Sequence, residues 1–193
     1  AGLRLDRYEL VDGPVNLQAN PRFGVSYTPG PYLALRATAG RGFRVPTVAE
    51  RTLDFTVGKY VVAPSEDLQP ESSWSYEVGV RQALSDRWFA DLALFRNDYS
   101  DFIEPLPDPV LTADNKAVVR FQNVPDARVQ GFELATGSRW WRRRLQLDGN
   151  LTLLDHEERR SGRALPYRPR WVAQLSPALH LGRAQARADY RYV

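Results

Sequence analysis

Apolar and polar side chains alternate along most of this sequence, and this period of two constrains the possible folds more than any other feature. Consecutive side chains of a β-strand point to opposite faces of its sheet, so strict alternation predicts strands with one apolar and one polar face. The stretch 145–153 carries leucine at alternate positions, beginning with Leu145 and Leu147. The clearest example is the stretch 71–81, whose apolar positions are Trp74, Tyr76, Val78 and Val80.

The alternation predicts nine strands and almost no helix. The stretch 46–51, which begins with Pro46, predicts one short helical turn. The alternation slips between Leu94 and Phe95, which predicts a bulge, and Pro125 predicts a second irregularity. The predicted strands cover residues 2–8, 20–28, 31–42, 70–82, 87–103, 117–136, 144–155, 166–181 and 184–193.

Alternation alone leaves two folds open, because it does not say which face meets water. A soluble all-β binding or interaction domain without catalytic activity would pack its apolar faces together. A membrane β-barrel would instead turn the apolar faces towards lipid and line its bore with the polar faces.

The connections between the predicted strands favour the barrel. Short and long connections alternate, so all the long loops lie at one end, as in an up-and-down membrane barrel. Several predicted strands also exceed the ~5–6 residues usual in globular proteins and suit a bilayer crossing. The short connections are 28–31, 83–86, 137–143 and 182–183, and the long ones are 9–19, 43–69, 104–116 and 156–165.

Aromatic residues near both ends of the predicted strands support the same fold, because membrane barrels carry aromatic girdles at both interfaces. The sequence therefore predicts an all-β fold, an antiparallel up-and-down transmembrane β-barrel segment with short turns on one side and long loops on the other. The predicted lipid-facing and girdle residues are Trp74, Tyr76, Val78, Val80, Trp88, Trp140, Trp141, Leu145 and Leu147.

Composition and motifs argue against several other functions. Cysteine is absent, which excludes thiolate metal sites and cysteine nucleophiles. The net charge is +3 with both signs interspersed, so we expect no nucleic-acid partner, and the run 140–144 (WWRRR) is predicted to lie among membrane headgroups. The cluster 155–158 (DHEE) is predicted to hold no metal, because neighbouring side chains on a strand diverge. We expect no catalytic residues, no enzyme activity and no cofactor.

Five short motifs are spread along the chain. They are residues 40–50 (GRGFRVPTVAE), 67–79 (DLQPESSWSYEVG), 95–103 (FRNDYSDFI), 123–134 (NVPDARVQGFEL) and 165–170 (LPYRPR). In this order and spacing they resemble the barrel motifs of TonB-dependent outer-membrane receptors.

The resemblance implies that residues 1–193 form about nine strands of a barrel of ~22 strands. The family's plug domain, TonB box and last strands are expected to lie outside this chain. The implied function is active uptake of a scarce nutrient across the outer membrane of a Gram-negative bacterium, most often an iron–siderophore complex, haem or cobalamin. The implied partners are outer-membrane lipid, the plug domain, the TonB complex and a small-molecule metal chelate.

The long loop 43–69 contains the predicted substrate-binding residues Arg44, Glu50 and Tyr60. For Arg44 and Glu50 a structural role, tying the loop to its neighbours, is favoured over direct capture of substrate. The charges on the polar faces are predicted to line the bore and contact the plug. They are Arg36, Glu71, Glu77, Arg81, Asp91, Glu133, Asp148 and Arg187.

Overall fold

The computed structural model describes residues 1–9, 15–112, 114–166 and 168–193. Within these ranges the chain forms one sheet of thirteen strands, nearly all antiparallel, and one short helix. In chain order the elements are β1 (Gly2–Glu9), β2 (Val15–Gly30), β3 (Leu33–Arg44), α1 (Val48–Thr52), β4 (Phe55–Val57), β5 (Tyr60–Val62), β6 (Glu71–Ser85), β7 (Trp88–Leu111), β8 (Ala117–Trp140), β9 (Leu145–Glu158), β10 (Arg163–Ala164), β11 (Trp171–Leu181), β12 (Ala184–Arg187) and β13 (Tyr190–Tyr192).

The long strands form a meander in which each pairs with the next long strand along the chain. The sheet runs β1-β2-β3-β6-β7-β8-β9-β11-β12, and β13 continues along the same edge of β11 as β12. When β12 and β13 are counted as one interrupted strand, all nine predicted strands are confirmed. The two ends of the sheet do not pair with each other, so the described residues form an open arc of a barrel wall.

Residue pairing separates an apolar row from a polar row across the sheet. One row consists of Val25, Ala37, Val78, Leu94, Phe132, Leu153 and Trp171. The adjacent row, on the opposite face, carries the polar residues Ser26, Arg36, Glu133 and Thr152, with Gly79, Ala93 and Val172 between them, and we call it the polar row. The apolar row has no break, so it forms the continuous band that a membrane barrel presents to hydrocarbon.

In the part of the chain that the structure describes, no second layer covers this apolar face. The extensive contacts between strands join only neighbours in the sheet. The exposed fractions of Val25, Val78 and Leu94 are 65%, 53% and 53%. A soluble sandwich would bury such side chains beneath a facing sheet, so the structure favours the membrane barrel over the soluble domain.

The connections keep the predicted alternation, although two of the long ones are shorter than expected and a third is displaced. The loop between β3 and β6 is long, as predicted, and contains α1, β4 and β5. The predicted loop 9–19 is partly strand, since β2 begins at Val15, and residues 10–14 lie outside the described residues. The predicted loop 156–165 is displaced along the chain rather than shortened, because β9 continues to Glu158 and β11 begins only at Trp171. The short turns are 31–32, 86–87, 141–144 and 182–183.

The prediction of a loop over 104–116 is wrong, because β7 and β8 continue through most of it. The two strands pair from the turn at 86–87 as far as Leu111 opposite Ala117. Each strand has 24 residues, which is about 80 Å at ~3.3 Å per residue and far exceeds a hydrocarbon core of ~30 Å. Three prolines at the start of the predicted loop, Pro105, Pro107 and Pro109, obscure this continuation in the sequence. The hairpin therefore extends beyond the bilayer at the long-loop end.

The bulge predicted between Leu94 and Phe95 is also wrong. Both residues pair in register with their neighbours on β6 and β8. The alternation slips because an aromatic residue, Phe95, occupies the polar face, where its ring lies against Gly131. A Cβ atom at Gly131 would lie 3.2 Å from Cζ of Phe95 and would clash with the carbonyl oxygen of Leu153. Glycine is therefore required where the aromatic ring and the neighbouring strand approach β8.

We expect Gly131→Ala to lower the free energy of unfolding of the full-length barrel by about 1–3 kcal/mol, because an added methyl group in a packed site forces the backbone to shift. The readout is the temperature at which the folded band is lost on semi-native gel electrophoresis. Gly149→Ala is the matched control, since its Cβ atom would lie 3.5 Å from the nearest atom. Equal losses in the two variants would contradict this explanation.

The irregularity predicted at Pro125 lies where β8 passes Asp101. Asp101 has a φ of 55°, and the pair that it would form with Pro125 is missing from the ladder. The left-handed backbone brings Phe102 to the same side as Tyr99, with ring centroids 4.7 Å apart. A small buried cluster forms there, above the membrane-spanning part of the sheet.

The predicted helical turn is confirmed two residues further along, as α1, and Thr47 caps it. Among the described residues, no helix combines the length and the apolar character needed to cross a membrane.

Candidate functional site

Helix α1 fixes Glu50 at the start of the long loop. The Thr47 hydroxyl accepts a hydrogen bond from the Glu50 amide at 3.2 Å, and the Glu50 carboxylate accepts one from the Thr47 amide at 2.8 Å. This reciprocal capping box turns the carboxylate back towards Arg44 on β3. Nη1 of Arg44 donates to both carboxylate oxygens of Glu50, at 2.9 and 2.7 Å.

Arg44 also binds a second carboxylate, that of Glu71 at the start of β6. Its Nε atom donates to Oε1 at 2.7 Å and its Nη2 atom donates to Oε2 at 3.1 Å. Oε2 of Glu71 also accepts a hydrogen bond from the Ile103 amide of β7 at 3.0 Å. We call Arg44, Thr47, Glu50 and Glu71 the mouth cluster, because together they join the long loop to three strands at the long-loop end.

Hydrogen bonds within the mouth cluster stabilise its charged side chains. Burial opposes ionisation of Glu50, but hydrogen bonds from Arg44 and Thr47 hold the pKa of its carboxyl below the ordinary value. The hydrogen bonds to Glu71 and Glu50 raise the pKa of the Arg44 guanidinium. All three guanidinium nitrogens donate within the cluster, which favours the structural role for Arg44 and Glu50. Their direct contact with substrate stays a prediction.

Tyr60, the third predicted substrate-binding residue, lies apart from this cluster on β5. It is 59% exposed. Strand β5 runs parallel to the start of β8, and the Lys59 carbonyl accepts a hydrogen bond from the Ala117 amide at 2.9 Å. This pairing brings the two lysines of the chain, Lys59 and Lys116, to neighbouring positions. Sequence reasoning missed that juxtaposition, because alternation does not reveal which distant segments pair.

Three predicted bore-lining residues form an ionic network on the polar face. Nε of Arg36 donates to Glu77 at 3.0 Å, and Nη1 donates to Asp91 at 2.7 Å. The guanidinium crosses β6 above Gly79, where a side chain would collide with it. Because the network spans β3, β6 and β7, it ties three strands together along the inner face.

The other predicted bore-lining charges share this face, and Glu71 belongs to the mouth cluster. Glu133 is exposed in the polar row. Their predicted contact with a plug domain stays a prediction. The Arg81 guanidinium lies 5.1 Å from the centre of the Phe89 ring. Asp148 accepts a hydrogen bond from Gln146 at 2.6 Å, and Arg187 donates one to Asp189 at 3.1 Å.

The predicted girdle residues form two groups at the two ends of the apolar band. Trp74 and Tyr76 stack with ring centroids 6.2 Å apart on the long-loop side. Near the short turns, the Trp88 indole donates to a threonine hydroxyl of β8 at 2.9 Å, and the Trp140 indole donates to a serine hydroxyl at 3.0 Å. Trp141 lies in the turn itself, with a φ of 47°. The register places Val78, Val80, Leu145 and Leu147 on the same face as these strand aromatics.

The acidic and histidine cluster at 155–158 does not converge. Asp155 accepts a hydrogen bond from Gln130 at 3.0 Å, whereas Nε2 of His156 lies 3.1 Å from the Arg168 carbonyl oxygen on the other face. Across the described ranges, no three candidate ligands gather as a metal site would require.

Sequence reasoning also missed an ion pair that joins Glu104 of the extended hairpin to Arg168, in the connection between β10 and β11. Nη2 and Nη1 of Arg168 donate to Oε1 of Glu104 at 2.8 and 3.1 Å, and the guanidinium lies 5.1 Å from the centre of the Phe102 ring. Burial raises the pKa of the Glu104 carboxyl. Arg168 stands in one of the five motifs, but Glu104 was assigned to a loop, so the pair was not foreseen.

Comparison with known proteins gives the same architecture. A family model described as TonB dependent receptor-like, beta-barrel, matches residues 1–193. A ferric enterobactin receptor of Pseudomonas aeruginosa is 28% identical over 196 aligned residues, which cover 89% of this chain and 25% of the relative. Hemoglobin and hemoglobin-haptoglobin-binding protein B of Haemophilus influenzae is 30% identical, with coverage of 58% and 11%.

Solved structures agree on the fold. The ferric enterobactin receptor mutant Q482A from P. aeruginosa, in complex with enterobactin, superposes with a TM-score of 0.73 at 23% identity, covering 98% of this chain and 29% of that one. A copper transporter, OprC, superposes with a TM-score of 0.74 at 19% identity, covering 93% and 27%. The chain spans about a quarter of the length of the first of the curated relatives it matches. The family match over its whole length shows that the chain belongs to the TonB-dependent receptor-like β-barrel family.

Proposed function

We propose that this chain forms part of the barrel wall of a transporter in the outer membrane of a Gram-negative bacterium. The transporter takes up a small metal chelate, with an iron–siderophore complex as the first candidate substrate and haem or cobalamin as alternatives. The observation that carries the proposal is the unbroken apolar row across the sheet, uncovered by protein and backed by a polar, charged row. Such a wall separates lipid from a wet bore.

The names of the relatives support the substrate class. They include receptors for ferric enterobactin and proteins that bind hemoglobin. These substrates carry iron in a bound form, and membership of the same family makes iron chelates the first class to test for this chain.

Different segments of the chain have different roles in transport, and none of these roles involves covalent chemistry. The mouth cluster holds the long loop in position at the outer surface, and exposed loop residues such as Tyr60 contact the substrate. The inner-face charges, among them Arg36 and Glu77, meet the plug domain of the complete receptor. The TonB complex supplies the energy that rearranges the plug and opens the path.

Growth and binding assays test this proposal with the full-length receptor. We expect deletion of its gene to abolish growth under iron limitation on one member of a panel of ferric siderophores and haem, with cobalamin uptake measured in parallel. The purified receptor should bind that same compound and should require detergent or lipid to stay monodisperse. Normal uptake of every compound in the deletion strain, or a monomeric receptor in plain buffer, would refute it.

A further inference from the structure

The short-turn end of the sheet concentrates positive charge. Three turns, 86–87, 141–144 and 182–183, lie along this rim, and the Arg139 amide donates to the Arg87 carbonyl at 2.8 Å between the first two. In these described turns and their flanking residues no arginine forms an ion pair, and the one carboxylate is that of Asp86. We call the exposed arginines of the three turns the arginine rim: Arg87, Arg142, Arg143, Arg144 and Arg183.

The central turn presents bulky side chains at an energetic cost. Trp141, Arg142 and Arg143 have φ values of 47°, 55° and 69°, and the Arg144 amide closes the turn on the Trp141 carbonyl at 3.1 Å. A left-handed backbone is unfavourable for residues with a Cβ atom and is adopted most readily by glycine. Three consecutive large residues adopt this conformation, and all three side chains are exposed at the rim.

Tryptophans flank the arginine rim where the apolar band ends. Trp88, Trp140 and Trp141 are 50%, 56% and 71% exposed. Indole rings settle at the level of lipid headgroups, and arginine guanidinium groups bind phosphate in a bidentate manner. A rim of unpaired arginines beside such rings is complementary to a negatively charged lipid surface.

We propose that the arginine rim binds the headgroups of anionic phospholipids, such as phosphatidylglycerol, in the membrane leaflet next to the short turns. The rim then selects these lipids from the leaflet and sets the depth of this side of the barrel. Electrostatic attraction between arginine and phosphate drives the selection, so added salt weakens it.

The test measures the lipids retained by the full-length receptor. The receptor is purified in mild detergent and mixed with equal amounts of phosphatidylglycerol and phosphatidylcholine. It is then separated from unbound lipid, and the bound lipids are quantified by mass spectrometry. We expect the unmodified receptor to be enriched in phosphatidylglycerol. Arg142→Gln with Arg143→Gln should reduce this preference by about five-fold per arginine removed, whereas lysine at both positions should retain most of it.

Arg159→Gln with Arg160→Gln is the matched control, because these exposed neighbours lie at the opposite end of the sheet. The control should retain the preference, and chelate binding should be unchanged in the Arg142→Gln, Arg143→Gln variant. Raising NaCl from about 0.05 to 0.5 M should reduce the preference of the unmodified receptor, a result that does not depend on the variants assembling. The proposal is overturned if the unmodified receptor shows no enrichment, as a rim occupied by an acidic protein segment would give, or if the two double variants lose it equally.

Discussion

Val78→Arg is expected to block assembly of the full-length receptor in the membrane. Val78 lies within the apolar row between Ala37 and Leu94, and its side chain is 53% exposed on the uncovered face. An arginine at the bilayer midplane of a barrel costs about 2–4 kcal/mol. Leu147→Arg, on the same face, should act in the same way. The measurement is the fraction of receptor recovered folded, and therefore heat-modifiable on gels, from outer-membrane preparations.

Asn150→Arg is the control from the opposite face. Asn150 is exposed and pairs with Ala135 and Gln174 in a row that faces the bore. The Asn150→Arg variant should assemble normally, because an arginine side chain in a water-filled bore remains hydrated. Glu77→Arg is a poorer control than the sequence suggests, because it removes a partner of Arg36. Comparable assembly defects in Val78→Arg and Asn150→Arg would invalidate the assignment of the two faces.

Arg44→Met is expected to release the long loop between β3 and β6. The change leaves the carboxylates of Glu50 and Glu71 near each other without a counter-charge, although their side chains are only 16% and 12% exposed. Breaking a fully buried pair costs about 3–5 kcal/mol. Because the Arg44 side chain is 39% exposed, we expect the substitution to destabilise the closed loop by about 2 kcal/mol. This corresponds to roughly a 30-fold larger population of receptors with the loop open. Hydrogen exchange of the loop amides in the full-length receptor measures this opening.

Arg51→Met is the control, because it removes an arginine from the same loop without leaving a carboxylate unpaired. Arg51 donates one hydrogen bond, at 2.7 Å, to the carbonyl of Glu66, so its removal leaves no unpaired charge. The loop amides of the Arg51→Met variant should exchange hydrogen at the same rate as those of the unmodified receptor. If Arg44→Met abolished substrate binding while leaving loop exchange unchanged, Arg44 would act by direct contact rather than by anchoring the loop.

The sequence was sufficient to predict the strands and their faces, because both follow from the period of two. Val78 and Glu77 could be assigned to opposite sides from their adjacent positions alone, since a strand has no other way to place neighbouring side chains. The short helical turn was also predictable, because proline is favoured at the start of a helix. These features depend only on residues close together in the chain.

What the sequence did not reveal depends on contacts between distant segments. Phe95 broke the alternation and suggested a bulge, but its true explanation is Gly131 on the next strand. The prolines near Glu104 suggested a loop, whereas pairing with β8 keeps that segment extended. Arg44 and Glu50 were expected to tie the long loop to its neighbours, but the bond from Arg44 to Glu71 depends on the register between β3 and β6.

The mouth cluster and the Arg36 network together give the sheet an uneven mechanical strength. Most strands touch only their neighbours, so a sheet drawn out of the bilayer by a force applied at one terminus would peel away hairpin by hairpin. Strands β3, β6 and β7 are cross-linked by ionic bridges at two heights, and they would resist together and rupture in a single, larger step.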